Sequence, residues 1–498
     1  MSEIIPHWLD KQSELSPTDI AIESPNNDSI SFLEMRKQSR LFAKKLAFLG
    51  VKQGDHVGIL SGNSVQMVIT IHALTYLGAV SVLLNTRLSS KEINYQLTDG
   101  AVTFLIVEEG MYAHGKEALH QLHLPIYTYS EIDRTDWKEV LLKREIDLDD
   151  PCTVIYTSGT TGVPKGVIHT YGNHWWSAVA SALNLGLNDQ DKWLASLPLF
   201  HVGGFSILMK SVIYGMPIYL LEKFEVTTAH KAITEKGVTI VSVVSITLNK
   251  LMDQIGDTGY PNTFRGMLLG GGPASKALLD RAKDYSIPVF QSYGMTETSS
   301  QIVTLSPKHA TEKLGSAGKP LLPAQLKIVK DGIPARQEVI GEILVKGPMV
   351  TKGYFNKEKA NQKLFQDGWL VTGDLGYLDK DGFLYVIDRR KDLIVSGGEN
   401  IYPAEIEGVL ANLKEIKEAA VVGQTDKKWG QTPIAFVVRD GSGISKEEII
   451  SYCQGQIAKY KVPKEIYFVD ALPRNASNKI MRHILVDWLP KGDMESEH

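Results

Sequence analysis

The segment from Tyr156 to Val167, rich in glycine and hydroxyl residues, constrains the fold and function of this chain more than any other feature. It reads Y-T-S-G-T-T-G-V-P-K-G-V. Glycine lets the backbone turn tightly and present N–H groups, while hydroxyl and ammonium groups add further donors. The segment therefore predicts a loop that cradles a polyphosphate. Its candidate donors are Thr157, Ser158, Gly159, Thr160, Thr161 and Lys165.

This loop differs from the common P-loop. The P-loop pattern has Gly, four residues, and then Gly-Lys-Ser/Thr, whereas Val163 and Pro164 separate Gly162 from Lys165 here. An ordinary solvated hairpin loop is the alternative for the segment taken alone.

Four further motifs connect the loop to a known family. They are Q-S-Y-G-M-T-E-T (291–298), T-G-D-L-G-Y (372–377), D-R-R-K-D-L-I (388–394) and P-R-N-A-S-N-K-I-M-R (473–482). In this order they resemble the adenylate-forming superfamily, which includes acyl-CoA synthetases, luciferases and the adenylation domains of peptide synthetases. The resemblance covers most of the chain. It implies ATP-dependent activation of a carboxylic acid, with Mg²⁺ as cofactor and coenzyme A as co-substrate.

Length and composition restrict the class of protein. A chain of 498 residues is longer than one hydrophobic core usually accommodates, so at least two folding units are expected. Hydrophobic content of 43% and a formal charge of −4, with no long basic block, indicate a globular protein that does not bind nucleic acid. The distant Cys152 and Cys453 match no metal spacing, and no signal peptide or membrane-length apolar run is apparent. We expect a cytoplasmic protein; the sequence leaves its oligomeric state open.

Short apolar runs alternate with amphipathic helical patterns along the first part of the chain. The predicted strands are 55–60, 80–84, 104–107, 217–221, 239–244 and 267–269, and a helix is predicted from Ser31 to a C-terminal cap at Gly50. This alternation predicts an α/β fold with sheets covered by helices. The resemblance implies a large N-terminal domain, residues 1–390, and a small mobile α+β C-terminal domain, residues 391–498, with its hinge at Lys391.

The main chemical obstacle is repulsion between the carboxylate and the α-phosphate of ATP. A positioned cation that stabilises the developing charge is worth on the order of 10²–10³ in rate. By the resemblance, Lys479 supplies that cation from the C-terminal domain. The family usually has Gly before this lysine, whereas this chain has Asn478. Asn tolerates a left-handed backbone better than most residues, which preserves the predicted turn.

The motif from Gln291 to Thr298 carries the predicted metal and nucleotide contacts. Glu297, next to Thr296, suits Mg²⁺, which takes few protein carboxylates and keeps several waters. Both residues are assigned to catalysis. Tyr293 offers a ring for stacking on adenine. The remaining nucleotide candidates here are Gln291, Ser292, Gly294, Gly270, Gly271 and Gly272.

Later motifs supply the ribose and CoA contacts that the resemblance implies. Asp374 and Arg389 form the predicted ribose pair, with Asp374 as a backbone cap being the alternative. Gly397 and Gly398 are expected to line the tunnel for the pantetheine arm of CoA, and Lys461 to hold CoA phosphates.

Residues between the motifs must select the acid. His201, in L-P-L-F-H before a predicted helix, borders the acyl pocket by the resemblance, and the alternative is a packing residue. Ser206 and Lys210 lie one turn apart on that helix, so both are candidates to contact a second anion. The alternative for Lys210 is a side chain that extends to solvent. Several intervening stretches, such as K-L-G-S-A-G-K-P-L, resemble bacterial ligases of menaquinone biosynthesis. That resemblance implies an aromatic dicarboxylate substrate activated at its aliphatic carboxylate.

Three alternative functions remain at this stage. A 4-coumarate-like or medium-chain acyl-CoA ligase needs no second anion in its pocket. An adenylation module that loads a carrier protein normally has a carrier domain after it, and none follows in this sequence. A non-catalytic nucleotide-binding scaffold is expected to lack Lys479 or Glu297, and both are present.

Overall fold

The computed structural model describes residues 3–26, 28–157, 163–256, 259–270, 276–388, 393–439, 443–474 and 480–490. These residues divide into two compact units. The larger contains residues 3–86, 93–157 and 165–388, and the smaller contains 87–92, 163–164 and the described residues from 393 onward. The larger unit thus ends at Asp388, just before the predicted boundary at 390, and the predicted hinge residue Lys391 lies outside the described residues.

The strands that precede residue 389 are mostly short. They are β1 (Ile4–Pro6), β2 (Ile20–Glu23), β3 (Ser29–Ser31), β4 (His56–Leu60), β5 (Val80–Leu83), β6 (Phe104–Val107), β7 (Ile126–Thr128), β8 (Glu145–Asp147), β9 (Pro151–Thr157), β10 (Lys165–Thr170), β11 (Trp193–Ala195), β12 (Ile218–Leu220), β13 (Ile240–Val243), β14 (Gly266–Leu269), β15 (Val289–Met295), β16 (Ser300–Leu305), β17 (Lys319–Pro320), β18 (Gln325–Lys330), β19 (Ile333–Pro334), β20 (Gly341–Lys346), β21 (Gly353–Tyr354), β22 (Phe365–Gln366), β23 (Trp369–Leu378) and β24 (Leu384–Asp388).

Helices connect many of these strands. They are α1 (Trp8–Leu15), α2 (Phe32–Phe48), α3 (Val65–Leu77), α4 (Ser90–Asp99), α5 (Tyr112–Ala118), α6 (Tyr129–Arg134), α7 (Tyr171–Leu185), α8 (Val202–Tyr214), α9 (Val226–Glu235), α10 (Ser245–Gln254), α11 (Lys276–Asp284) and α12 (Glu358–Leu364). Short 3₁₀ helices span Glu109–Met111, Thr296–Thr298 and Pro307–His309.

The strands of the larger unit form three substantial sheets. The first has the order β21-β10-β9-β5-β4-β6-β7, and the second has the order β17-β16-β15-β14-β13-β11-β12-β2-β3. Their inner strands are parallel, as the strand–helix alternation predicts. Antiparallel strands occupy both edges of the second sheet and the β21 edge of the first, whereas β7 at the other edge of the first sheet is parallel to β6. The third sheet, β19-β18-β20-β23-β22 with β24 beside β23, is antiparallel. Strands β1 and β8 form a separate pair.

One hydrophobic core joins the two mixed sheets. It contains side chains from β4, β5 and β9 of the first sheet and from β11, β12 and β13 of the second, together with α1, α2, α3 and α8. Helix α3 is buried along nearly its whole length, which explains why its sequence is apolar on all faces. Ser64 caps its first turn and Gly78, at φ 67°, ends it in the left-handed conformation.

The smaller unit has its own sheet and core. Its elements are β25 (Ile394–Ser396), β26 (Glu399–Ile401), α13 (Pro403–Leu410), β27 (Ile416–Asp426), β28 (Gly430–Arg439), α14 (Lys446–Gln454), a 3₁₀ helix (Lys459–Lys461), β29 (Glu465–Phe468) and α15 (Arg482–Asp487). The sheet order is β26-β25-β28-β27, with β29 parallel to β28. Helices α13 and α14 pack against it, so the α+β class predicted for this region is confirmed.

Local predictions from sequence agree with the structure to within a residue or two. All six predicted strands are present, as β4, β5, β6, β12, β13 and β14. Helix α2 ends at Phe48 with its cap at Leu49, one residue before the predicted Gly50, which has a φ of 106°. Both cysteines are buried and unpaired, as expected. Among the described residues, no helix combines the length and apolar character needed to cross a bilayer.

We predict that Gly318→Ala destabilises the larger unit strongly. Gly318 has a φ of 103°, and a Cβ there would overlap the backbone of Thr304 on β16. A left-handed backbone costs about 1–2 kcal/mol for a residue with a Cβ. Overpacking adds about 1–3 kcal/mol. The check is the free energy of unfolding from denaturant titration.

Gly332→Ala is the matched control for that substitution. Gly332 also has a positive φ, 77°, but a Cβ there would meet no atom within 4 Å. Its loss should be limited to the backbone cost of about 1–2 kcal/mol. Equal losses for the two variants would show that the close approach to Thr304 contributes nothing.

Candidate functional site

The predicted site residues come together where strands of all three sheets of the larger unit meet. Tyr293 on β15 donates a hydrogen bond from its hydroxyl to Oδ2 of Asp374 on β23, at 2.8 Å. His169 on β10 contacts the backbone carbonyl of Thr296 through Nε2, at 2.7 Å. The motif from Gln291 to Thr298 therefore contacts the motif from Thr372 to Tyr377 and also the strand β10 that follows the glycine-rich loop.

Glu297 lies in the 3₁₀ turn between β15 and β16, and its side chain is held in place. Only 3% of the residue is exposed, and the Tyr354 hydroxyl donates to its Oε1 at 2.7 Å. The Thr351 backbone N–H donates to the Glu297 carbonyl at 2.8 Å. The turn then continues through Ser299 and Ser300, whose φ values of 52° and 101° are unusual for residues with a side chain. These contacts fix the direction of the carboxylate.

The surroundings of Glu297 fit a magnesium ion. Within the described residues, no cluster of three or more His, Cys, Asp or Glu side chains has metal-binding geometry. Mg²⁺ does not need such a cluster, because it commonly binds one or two carboxylates together with substrate phosphates and waters. The ammonium of Lys165, the predicted phosphate contact, lies 5.2 Å from the centre of the ring of Tyr354, whose hydroxyl donates to Glu297.

The nucleotide candidates on β14 and β15 have different environments. Tyr293 is only 2% exposed and its ring is packed in a core, so the structure gives no support to the predicted stacking on adenine. Its hydroxyl instead positions Asp374, which is 4% exposed. Gln291 is buried, and its Nε2 has no hydrogen-bond partner among the described residues. The Ser292 hydroxyl donates to the Leu269 carbonyl, next to Gly270 at the end of β14.

Gly294 is required by the close approach of β15 and β16. A Cβ at this position would overlap the carbonyl of Ser300. The pairing of β15 with β16 also shifts register between Tyr293 and Gly294. This irregularity lies directly before Met295 and the Glu297 turn, which is where a sharp change of direction is needed.

Several predicted residues fall outside the described ranges. They are Ser158, Gly159, Thr160, Thr161, Gly271, Gly272, Arg389, Lys391 and Lys479. Thr157 ends β9 and Lys165 begins β10, and these two antiparallel neighbours pair with each other. The two ends of the predicted phosphate loop are thus adjacent.

A buried cation marks the predicted acyl pocket. Lys210 on α8 is 2% exposed, lies 3.5 Å from the Ser206 hydroxyl and is 5.1 Å from the centre of the Trp193 ring. No carboxylate in the described part of the chain pairs with it. Burial lowers the pKa of Lys210 from 10.5 to about 8. His201 precedes α8 and packs against Phe200, with ring centres 4.8 Å apart.

The predicted CoA residues lie in the smaller unit. Gly397 and Gly398, with φ values of 59° and 88°, form the tight turn between β25 and β26, a turn of a kind that favours glycine. Lys461 is 3% exposed and binds Glu92 and Glu405, each at 2.6 Å. This arrangement does not support the predicted contact with CoA phosphates, because the ammonium is already neutralised by two carboxylates.

Sequence reasoning missed two residues that contact the motifs, Tyr354 and His169, and two polar neighbours of His169. Tyr354 holds Glu297, and His169, Thr153 and His174 form a buried polar group next to Thr296. Burial lowers the pKa of His169 to about 4 and that of His174 well below its usual 6.5, so both rings are neutral at pH 7. The available signal was two histidines within a few residues after the glycine-rich loop.

Comparison with known proteins identifies the same two regions. The family model described as "AMP-binding enzyme" matches residues 9–355, and the model "AMP-binding enzyme C-terminal domain" matches 405–479. A 2-succinylbenzoate–CoA ligase of Oceanobacillus iheyensis is 55% identical over 97% of this chain and 100% of that protein. Another from Bacillus anthracis is 51% identical over 97% and 98% of the two chains.

Solved structures of o-succinylbenzoate CoA synthetase from Bacillus subtilis are also similar. A double mutant bound to the product analogue OSB-NCoA has a TM-score of 0.93 and 46% identity, covering 97% of this chain and 99% of that one. The complex with ATP and magnesium ion has a TM-score of 0.76 at 46% identity, with the same coverage.

We predict that Tyr293→Phe weakens nucleotide binding through Asp374. The variant removes the hydroxyl that orients this buried carboxylate, and a hydrogen bond to a charged group is worth about 1.5–3 kcal/mol. The Kd for ATP, measured by calorimetry, should rise roughly tenfold or more. Tyr377→Phe, on the same strand as Asp374, is the control, because that ring stacks on Tyr385. An unchanged Kd in Tyr293→Phe would contradict the assigned role of Asp374.

Proposed function

The chain belongs to the AMP-binding enzymes, and we propose that it is an AMP-forming 2-succinylbenzoate–CoA ligase. It joins 2-succinylbenzoate to coenzyme A at the expense of ATP, giving 2-succinylbenzoyl-CoA, AMP and diphosphate in menaquinone biosynthesis. Its cofactor is Mg²⁺. The structural observation that carries this choice of acid is Lys210, a cation buried in the predicted acyl pocket without a carboxylate partner in the described chain. We place the enzyme in the cytoplasm.

The reaction has two half-reactions. In the first, an oxygen of the aliphatic carboxylate attacks the α-phosphorus of ATP, the bond to the bridging oxygen breaks, and diphosphate leaves. In the second, the sulfur of CoA attacks the acyl carbon of the adenylate, the acyl–oxygen bond breaks, AMP leaves, and the thiol proton passes to solvent. Splitting the reaction replaces an oxide leaving group with AMP, a far better one.

We assign the nucleotide contacts of the first half-reaction to the three-sheet site. Asp374, oriented by Tyr293, accepts hydrogen bonds from the ribose hydroxyls. Lys165 and the donors of the glycine-rich loop hold the phosphates. Glu297, oriented by Tyr354, would hold Mg²⁺, which supplies positive charge next to the phosphates. Each of these groups reduces the repulsion between the two reacting anions.

We assign the aromatic carboxylate of the substrate to Lys210. A buried ammonium without a carboxylate partner is unfavourable, and the same burial lowers the pKa of Lys210. A ligand carboxylate supplies the missing partner. Ser206, one helical turn away, adds a hydroxyl donor, and the Trp193 ring forms an apolar wall suited to an aromatic substrate.

We predict that Lys210→Met raises the KM for 2-succinylbenzoate about 10- to 100-fold with little change in kcat, because the lost contact is the same in ground and transition states. The same measurement with 4-oxo-4-phenylbutanoate, which lacks the aromatic carboxylate, is the control. For this analogue the wild type and Lys210→Met should have similar KM values. Additive losses from variant and analogue would refute a direct contact.

The pH dependence offers a second test of Lys210. The ammonium of the free enzyme loses its charge as pH rises through about 8, so the KM for 2-succinylbenzoate should rise over that interval. The KM for the analogue should not. Because the folded pKa lies below the unfolded value, the unfolded chain binds more protons between about pH 8 and 10.5. The contribution of Lys210 to stability therefore improves with rising pH, and Lys210→Met should remove that trend.

We predict that Lys479→Ala blocks the first half-reaction selectively. Removal of one cation from the developing charge should lower the rate of adenylation on the order of 10²–10³. Thioester formation from a supplied acyl-adenylate should remain largely intact. The two rates are measured separately, as ATP-dependent diphosphate release and as CoA consumption. Equal losses in both would reject the assignment.

A further inference from the structure

A chain of buried polar side chains runs beside the Glu297 turn, and the reaction scheme above does not use it. His169 on β10, Thr153 on β9 and His174 on α7 are 0%, 0% and 2% exposed. The Thr153 hydroxyl lies 3.3 Å from Nδ1 of His169 and 3.1 Å from Nε2 of His174. The other nitrogen of His169, Nε2, lies 2.7 Å from the Thr296 carbonyl.

The chemistry of these atoms fixes the direction of each hydrogen bond in this polar chain, which runs from His174 through Thr153 and His169 to Thr296. A carbonyl oxygen only accepts, so His169 donates from Nε2 to Thr296. The neutral His169 ring then accepts at Nδ1, and the Thr153 hydroxyl donates to it. The Thr153 oxygen in turn accepts from Nε2–H of His174. His174 therefore carries its proton on Nε2, and its Nδ1 has no hydrogen-bond partner among the described residues.

The backbone of the turn that accepts the hydrogen bond from His169 is strained. Ser299 and Ser300 follow the 3₁₀ turn with φ values of 52° and 101°, and such conformations persist only when surrounding contacts impose them. The Ser177 hydroxyl donates to the Ser299 carbonyl at 2.6 Å, and the Ser299 hydroxyl donates to the Met349 carbonyl at 2.8 Å. His169 supplies the corresponding contact at the start of the turn, directly before Glu297.

The end of the polar chain opposite Thr296 is His174, which contacts helix α8 of the proposed acyl pocket. The His174 ring lies 4.8 Å from that of Phe205 on α8, measured between ring centres. His174 also experiences the charge of Lys210, one turn along α8 from Ser206. The polar chain therefore extends from α8, the helix that carries Lys210, to the turn that carries Glu297.

We propose that His169, oriented by Thr153 and His174, is a positioning residue that holds the Thr296–Thr298 turn in the geometry that binds Mg²⁺-ATP. The hydrogen bond to the Thr296 carbonyl fixes the turn, and the turn aims the Glu297 side chain. His169 does not touch the reacting atoms. The role of the turn in binding Mg²⁺-ATP rests on the proposed function. The conformation of the turn, however, can be measured without any ligand.

The first test is amide hydrogen exchange of the ligand-free protein. In the wild type, the Ser299 N–H donates to the Thr296 carbonyl and the Thr351 N–H donates to the Glu297 carbonyl. His169→Leu removes the donor while filling similar volume, so peptides that cover 296–300 and 351 should exchange about tenfold faster. His169→Gln, whose amide N–H can donate to Thr296, should restore slow exchange.

The second test is the Mg²⁺ dependence of adenylation. In His169→Leu the half-saturating Mg²⁺ concentration should rise about tenfold, the equivalent of one lost hydrogen bond, while thioester formation from supplied acyl-adenylate stays unchanged. His169→Gln should recover the wild-type value. Thr153→Val, which leaves the His169 ring in place but removes its orientation, should give an intermediate shift.

His72→Leu is the matched control for loss of a buried histidine. His72 lies on α3, is 3% exposed, and burial lowers its pKa to about 4, but it takes no part in the polar chain. It should change overall stability without accelerating exchange at 296–300 selectively. The proposal is overturned if His169→Leu keeps wild-type exchange and Mg²⁺ dependence, or if His72→Leu reproduces both effects. Accelerated exchange in a protein without 2-succinylbenzoate ligase activity would instead reject the proposed function and retain the positioning role.

Discussion

Joining a carboxylate to the α-phosphate of ATP requires two anions to come within bonding distance, and their mutual repulsion is the constraint that the site must overcome. At 4 Å, two unit charges repel by about 1 kcal/mol in water and about 4 kcal/mol at the effective dielectric near a protein surface. We propose that cations and oriented donors of the larger unit offset this repulsion. Lys165 lies over the ring of Tyr354, the residue that holds Glu297, and Lys210 lies in the proposed acid pocket.

Three sheets are needed to build this site, because no single sheet carries all of its parts. The glycine-rich loop begins and ends on adjacent strands of the first sheet. The turn with Glu297, the proposed metal ligand, follows β15 of the second sheet, and Asp374 lies on β23 of the third. Direct hydrogen bonds, Tyr293 to Asp374 and Tyr354 to Glu297, join these sheets where their motifs meet. The proposed nucleotide contacts thus depend on tertiary packing rather than on any one motif.

Local patterns made the strands, the α/β class and the motif residues predictable. Apolar runs such as Phe104–Val107 became strands at the predicted positions because their burial on both faces needs continuous hydrophobicity. The juxtaposition of Tyr293 with Asp374 followed from the family resemblance, although their direct hydrogen bond did not. The structure does not support the predicted stacking of adenine on Tyr293, because the ring is packed in a core. The residues that pack around it are distant in sequence, so its burial could not be read from the motif.

Contacts between residues that are distant in sequence could not be predicted from local patterns. Lys461 meets Glu92, 369 residues away, and nothing local distinguishes it from a solvated lysine. His169 and Thr296 are 127 residues apart, and their contact depends on how the edge of one sheet meets the end of another. Lys210 was a candidate because of its helical spacing from Ser206 and the family resemblance, but its burial depends on packing around α8 that the sequence does not show.

The role proposed for Lys210 depends most on the identity of the acid. AMP release that requires both ATP and CoA should be measured with 2-succinylbenzoate, benzoate, 4-coumarate and octanoate under identical conditions. The account predicts a kcat/KM for 2-succinylbenzoate at least about tenfold above that of each monoacid, since the second carboxylate gains a charged hydrogen bond at Lys210. A monoacid that matches or exceeds 2-succinylbenzoate would contradict the account, leaving the adenylation chemistry but removing the buried lysine as the determinant of specificity.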